Sequence, residues 1–175
     1  KMQHLDLVLE SGAANGSYHI GCLLYIKELE RKNKLKIDRI SGSSIGAIAS
    51  LYYLTDTLND FIEDYKTLRE CFKRHLNLKR LKTILQNKIK NLSNDDFEKV
   101  NQKLFIVFHD ITQRQQILKS EFKNKEDLLH SILKSSHIPY ITDGNYFFED
   151  NNDKFFDGGI PYIFPERNSK NKLVY

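Results

Sequence analysis

Glycines flank a serine in Gly42-Ser43-Ser44-Ile45-Gly46, the pattern G-x-S-x-G. That spacing suits a sharp passage from strand to helix. A β-carbon at either glycine would collide with neighbouring backbone, and the turn points the Ser44 hydroxyl toward the amide-rich start of the next helix. The chemistry on offer is nucleophilic attack on a carbonyl, and it needs a base. In strand-turn-helix hydrolases the base is a histidine that comes after the acid in the chain. All six histidines here (His4, His19, His75, His109, His130 and His137) precede Asp157, so a triad built on that acid would need a histidine beyond Tyr175. His19 falls inside a helical pattern and reads as packed or capping. Asp157-Gly158-Gly159 offers a different base, an aspartate at a strand end whose two glycines let it approach another loop closely. A carboxylate is a poor base for a hydroxyl in water. It needs a partly desolvated site that raises its pKa, and strong stabilisation of the oxyanion. The small-residue turn from Ser11 to Gly16 could supply the latter, because free N–H groups at a helix start face whatever sits there.

These residues need elements to hold them. Leu5 to Leu9 is a short apolar run before the first turn, and Ile20, Leu23, Leu24, Ile26 and Leu29 recur at helical spacing from Ser17 to about Lys32. Ile37 to Ile40 is a second strand, closed by Gly42–Gly46, and Ala47 to Leu54 suits a buried helix of small residues. Strand, turn, helix, strand, turn, helix is the grammar of a parallel α/β sheet. From Asn59 to about Leu92 the pattern is two amphipathic helices, one with Phe61, Tyr65, Leu68 and Phe72, the next with Leu78, Leu81, Ile84 and Leu85 under a basic face. Leu104 to Phe108 is a strand with Ile117-Leu118 as its hairpin partner. Asp127 to Ser135 is helical, and Tyr146–Phe148 and Phe155-Phe156 are short aromatic strands. The chain opens Lys1-Met2 and closes on Lys172-Leu173-Val174-Tyr175, a strand being entered, so more chain is expected beyond it. With no internal repeat and no long linker, residues 1–175 are expected to form a single domain carrying a basic helical insertion over about 59–100.

Composition narrows the classes. Hydrophobic residues make up 40% of the 175 and charged residues 29%, which excludes collagen-like and wholly disordered chains. Mean hydropathy is −0.52, and no apolar run approaches the roughly 20 residues that span a bilayer. Two cysteines, Cys22 and Cys71, cannot build a disulfide scaffold, so a reducing, cytoplasmic setting is expected. The net charge of +4 permits attraction to phosphate-rich surfaces without requiring it. No nucleic-acid motif accompanies the basic stretch, so no such partner is expected.

The glycine-bearing blocks resemble two known patterns. Gly12-x-x-x-Gly16 is similar to the glycine turn of short-chain dehydrogenases, but Tyr18 stands where the third glycine belongs and Gly42–Gly46 goes unexplained. Four blocks in order resemble the patatin-like phospholipase family over Leu5 to Pro165: Ser11–Gly16 with Tyr18–Gly21, Gly42–Gly46, Ser135-Ser136-His137-Ile138-Pro139, and Phe156-Asp157-Gly158-Gly159 with Pro165. The resemblance implies a three-layer α/β/α domain with a mainly parallel central sheet, continuing past this chain's end. It implies a Ser44–Asp157 dyad without histidine, Gly12, Ala13 and Ala14 as oxyanion donors, Gly42 and Gly46 as the elbow and Gly158 and Gly159 as the dyad loop. The implied substrates are acyl esters of phospholipids or glycerolipids met at a membrane or lipid interface, with neither metal nor organic cofactor. The family loop is G-G-G-x-[RK]-G; here Ser11 and Ala13 replace glycines and Asn15 replaces the basic residue. Serine and alanine reach positive φ at greater cost than glycine, so the loop's geometry decides whether the resemblance extends to activity. The rival readings are a catalytically silent lipid-binding or scaffold protein with the same fold, and a Ser-His-Asp esterase completed beyond Tyr175. The basic helices either hold the protein on an anionic bilayer or form an ordinary solvated face.

Overall fold

The computed structural model describes residues 2–165 and the backbone of 172–174; Lys1 and Tyr175 lie outside the described residues. Strand β1 (Gln3–Leu9), helix α1 (Gly16–Arg31), β2 (Leu35–Gly42), α2 (Ile45–Leu54) and β3 (Leu104–Asp110) form the parallel α/β unit expected from the sequence. Between α2 and β3 stand α3 (Leu58–His75), α4 (Arg80–Lys90) and α5 (Asn94–Lys103). A hairpin partner β4 (Gln115–Lys119), helix α6 (Lys125–Ser135), strands β5 (Phe148–Asp150) and β6 (Asp153–Phe156), and β7 (Lys172–Val174) complete the described elements. The sheet runs β5-β6-β3-β2-β1-β7, parallel from β3 to β7, with β4, β6 and β5 antiparallel. It is a mixed α/β fold, a mostly parallel central sheet flanked by helices, as the sequence led us to expect.

The main core lies where Leu7, Leu9, Ile40, Leu104 and Ile106 meet α2, whose ten residues are all buried. On the opposite face Tyr162 and Phe164 pack on Phe105, and Arg39 lies over the Phe164 ring at 4.3 Å while pairing with buried Asp6. The two helices expected over Asn59 to about Leu92 are α3 and α4, and a helix the sequence pattern did not mark, α5, follows them: it is capped by Ser93, whose hydroxyl accepts from the Asp96 N–H at 3.0 Å. One local expectation changes. Strand β5 begins at Phe148, not Tyr146: Tyr146 and Phe147 instead pack their rings on Phe156, with centroids 5.5 and 4.9 Å away.

Strand β3 is shared unevenly among its neighbours. β2 pairs with it over Leu104–Ile106, β6 pairs with it over His109–Asp110, and β4 overlaps both stretches. Since β4 occupies one edge of β3, β2 and β6 must share the other, end to end. The seam falls at Val107 and Phe108, where β2 has already turned into α2.

Candidate active site

The seam brings the two distant motifs together. Ser44 comes two residues after β2, and Asp157 comes directly after β6. Ser44 sits at φ 55, ψ −123, a conformation that costs a non-glycine residue of order 1–3 kcal/mol and is found where the surrounding structure enforces it. The enforcement is visible. A β-carbon at Gly42 would lie 2.6 Å from the Ala47 nitrogen, and one at Gly46 would lie 2.3 Å from the Leu9 carbonyl oxygen. Both glycines are therefore required by close backbone approach.

Gly158 closes the seam in the same way. A β-carbon there would overlap the Val107 carbonyl oxygen at 2.0 Å and the Ser43 hydroxyl at 2.6 Å. Gly159, at φ 61, is needed for its conformation, and its N–H donates to the Asp157 carboxylate at 2.8 Å. The Asp157 N–H donates to the His137 carbonyl at 3.2 Å, and the Asp157 carbonyl meets His109 Nδ1 at 3.0 Å. Burial pushes the Asp157 carboxyl above the usual carboxylate range. The nearby Ser44 hydroxyl, the Gly159 amide, His109 and His137 pull it back in part. The serine and aspartate are thus neighbours, though the pair does not make a hydrogen bond of ordinary geometry; loose contacts of this kind are common in unliganded catalytic sites.

Ser135 stitches the seam. Its hydroxyl donates to the Val107 carbonyl at 2.6 Å, an acceptor that no described strand covers on that edge, and accepts from the Ser44 N–H at 3.0 Å. The Ser135 carbonyl takes the Gly158 N–H at 3.2 Å. The sequence marked this serine only as part of a block; its work is to hold nucleophile, β3 and dyad loop in one register. Ser135→Ala is expected to destabilise the fold by about 1–3 kcal/mol, the cost of leaving two buried backbone groups unpaired, read as a lower denaturation midpoint with unchanged m-value.

The glycine-poor turn resolves simply. Within it Gly12 alone takes positive φ, at 109, while Ala13 to Asn15 form a 3-10 turn with ordinary dihedrals leading into α1. Alanine therefore costs nothing special at position 13. Asn15, in place of a basic residue, donates from Nδ2 to the Ser11 carbonyl at 3.0 Å. Tyr65 of α3, expected only as part of an apolar stripe, reaches over: its hydroxyl bonds the carbonyls of Ala13 at 3.0 Å and Ala14 at 3.3 Å, and its ring fills the space a β-carbon on Gly16 would need. Ala13 and Ala14 of this turn border a cavity.

That cavity, about 570 Å³, is bounded by Ala13 and Ala14, by Ser44, Ile45 and Ile48, by Leu68 and Phe72 of α3, and by Leu78, Leu81, Ile138 and Ile141. Among the described residues, its only charged lining is Arg69 and Lys73. Ser44, 5% exposed, opens onto it. Gly12 stands at the base of the turn and is not part of the wall. His19 is buried in α1 with Nδ1 unpartnered and lines a separate groove under that helix. His137 is fully buried, its Nε2 on the Tyr146 carbonyl at 3.3 Å. Leu81 and Leu85 are buried, so the apolar face of α4 packs inward.

A family model described as Patatin-like phospholipase matches residues 7–167, a span that holds every residue of this site. A search of curated proteins found no match.

Proposed function

The chain belongs to the patatin-like phospholipase family, and on that premise we propose that it is a serine lipid acyl hydrolase working through Ser44 and Asp157. The Ser44 oxygen attacks the acyl carbonyl while Asp157 accepts its proton. The N–H groups of Ala13 and Ala14, in the turn that Gly12 opens, stabilise the oxyanion. Collapse expels the alcohol, which takes its proton from Asp157, and leaves the acyl group on Ser44. Water then attacks with Asp157 as base, releasing the fatty acid and restoring the hydroxyl.

The observation that carries this reading is the strained Ser44, beside a half-buried carboxylate of raised pKa, at the floor of an apolar cavity. The apolar wall suits an acyl chain. Arg69 and Lys73 suit a phosphate better than an uncharged glyceride, which favours phospholipids over neutral glycerolipids. Tyr65→Phe, which loosens the oxyanion turn without touching the acyl wall's shape, is expected to lower kcat about 10-fold with little change in KM. The overall reading is tested by incubating the purified chain with a fluorogenic diacyl phospholipid and a short-chain nitrophenyl ester. Hydrolysis of both supports it. A well-folded protein that cleaves neither overturns it and leaves the silent lipid-binding alternative.

A further inference from the structure

Leu76 is held where neither backbone nor solvent favours it. It ends α3 in the left-handed conformation, φ 52, ψ 32, which glycine or asparagine occupies at less cost. It is also 72% exposed. Phe72, one turn earlier, is exposed as well. The charge around them is mainly positive, with Glu70 pairing Lys73 at 3.1 Å. Residues 71–90 contain seven Lys and Arg and no Asp or Glu, so this stretch carries more positive charge than the chain's overall +4. Lys73, Arg74, Lys79, Arg80 and Lys82 are all exposed.

A second turn repeats the pattern. The Leu78 N–H donates to the Ile141 carbonyl at 2.7 Å, tying the α3–α4 corner to residues 138–142. There Tyr140 also takes left-handed φ, at 64, and is 65% exposed, its ring against the exposed ring of Tyr146. Both turns border the Ser44 cavity, to which Phe72, Lys73, Leu78, Ile138 and Ile141 contribute. Two outward side chains in left-handed turns thus flank one opening beside the exposed cations of residues 73–82, with Asp143 as the exposed acid of the second turn.

We propose that the α3–α4 corner and the Tyr140 turn form one docking surface for anionic bilayers. Leu76 and Tyr140 enter the boundary between headgroups and acyl chains, the lysines and arginines pair with lipid phosphates, and the cavity opens onto the membrane. The occupant is a bilayer and not a nucleic acid because exposed apolar tips find a place among acyl chains and none along a phosphate backbone. The purpose of the surface rests on the acyl hydrolase reading; its existence does not.

The test is therefore a binding measurement on the Ser44→Ala protein, which removes turnover, with sedimented vesicles of phosphatidylcholine alone or with about 30% phosphatidylglycerol, enough to set up a negative surface potential. The expected result is binding to the anionic vesicles that weakens with added salt, and little to the neutral ones. Leu76→Asn suits the left-handed turn and is expected to keep or raise the melting temperature while lowering the partition coefficient about 10-fold. Arg74→Glu combined with Lys82→Glu is expected to lower it at least about 10-fold. In the Ser44 background these changes should leave turnover of a soluble short-chain ester intact. Equal binding to both vesicle types overturns the proposal, as does anionic binding, to vesicles or to RNA, that is indifferent to Leu76→Asn. Binding without any esterase activity in the Ser44 protein would remove the hydrolase reading and leave the docking surface standing.

Discussion

Ser44→Ala is expected to reduce ester hydrolysis by about 10⁶-fold, the scale seen when the nucleophile of a serine hydrolase is removed, without unfolding the protein. The structural part of that expectation is specific. The elbow is held by backbone groups: the Ser44 N–H donates to Ser135, and its carbonyl accepts from Ala47 at 3.0 Å and Ile48 at 3.2 Å. Alanine keeps every one of these and has the same β-carbon to place at φ 55. Melting temperature should therefore hold while initial rates on a short-chain ester fall to background. Residual activity above about 1% of wild type, far more than loss of a nucleophile leaves, would mean that another residue attacks the carbonyl.

Asp157→Asn is expected to lower turnover about 10⁴-fold and, unlike most active-site changes, to make the fold more stable at neutral pH. The sign comes from burial. The Asp157 carboxyl has its pKa raised above the ordinary value of 3.8, so the folded chain holds that proton more tightly than the unfolded one. Between the unfolded and folded pKa values the native state binds more protons, and stability falls as pH rises through that window. Above it the half-buried charge is a standing cost that asparagine lacks, while the asparagine oxygen can still accept from the Gly159 N–H. Asp56, Asp127 and Asp150, whose lysine partners hold their carboxyls low, stabilise both proteins as pH rises. Unfolding measured across the acid range is therefore read as a difference: the stability of the variant over wild type should grow as pH rises through that window. The same raised pKa sets the kinetics: Asp157 must be ionised to accept the Ser44 proton, so kcat/KM should climb on an acid limb lying above the ordinary carboxylate range. An acid limb at the ordinary value, or an Asp157→Asn protein that keeps turning over, would show that this carboxylate is not the base.

Much of the site was legible in local chemistry. Gly42, Gly46 and Gly158 stand where any β-carbon would meet backbone within 3 Å, and such positions are readable because no other residue type can serve. The strand-turn-helix alternation and the burial of α2 could be read from periodicity for the same reason: the pattern and the packing are one constraint seen twice. What stayed hidden is non-local. That β2 and β6 share an edge of β3, which is what sets Ser44 beside Asp157, depends on where β2 stops pairing and β4 takes the other side. Ser135 needed that seam before its hydroxyl had any visible task.

The replaced glycines show the opposite case, where a local rule applied to the wrong residue. Positive φ in the turn is confined to Gly12, so Ala13 sits within alanine's ordinary range, and of the glycines the family pattern carries the turn needs Gly12 for its conformation and Gly16 for the room Tyr65 takes. Tyr65 was visible as an apolar position, and its ring does pack on Phe61, but a tyrosine's hydroxyl reach is set by the fold and not by helical spacing. Leu76 illustrates a third kind of gap: leucine in a basic stretch looks like ordinary helix filling until the chain turns left-handed there.

The central claim, that Ser44 is an activated nucleophile with Asp157 as its base and no histidine between them, is tested most directly by covalent labelling. Wild-type protein treated with a fluorophosphonate and analysed by intact mass and peptide mapping is expected to gain one adduct, on Ser44, and the Asp157→Asn protein to label far more slowly at the same site. Labelling that maps elsewhere, or that proceeds at the wild-type rate without the Asp157 carboxylate, would contradict the account.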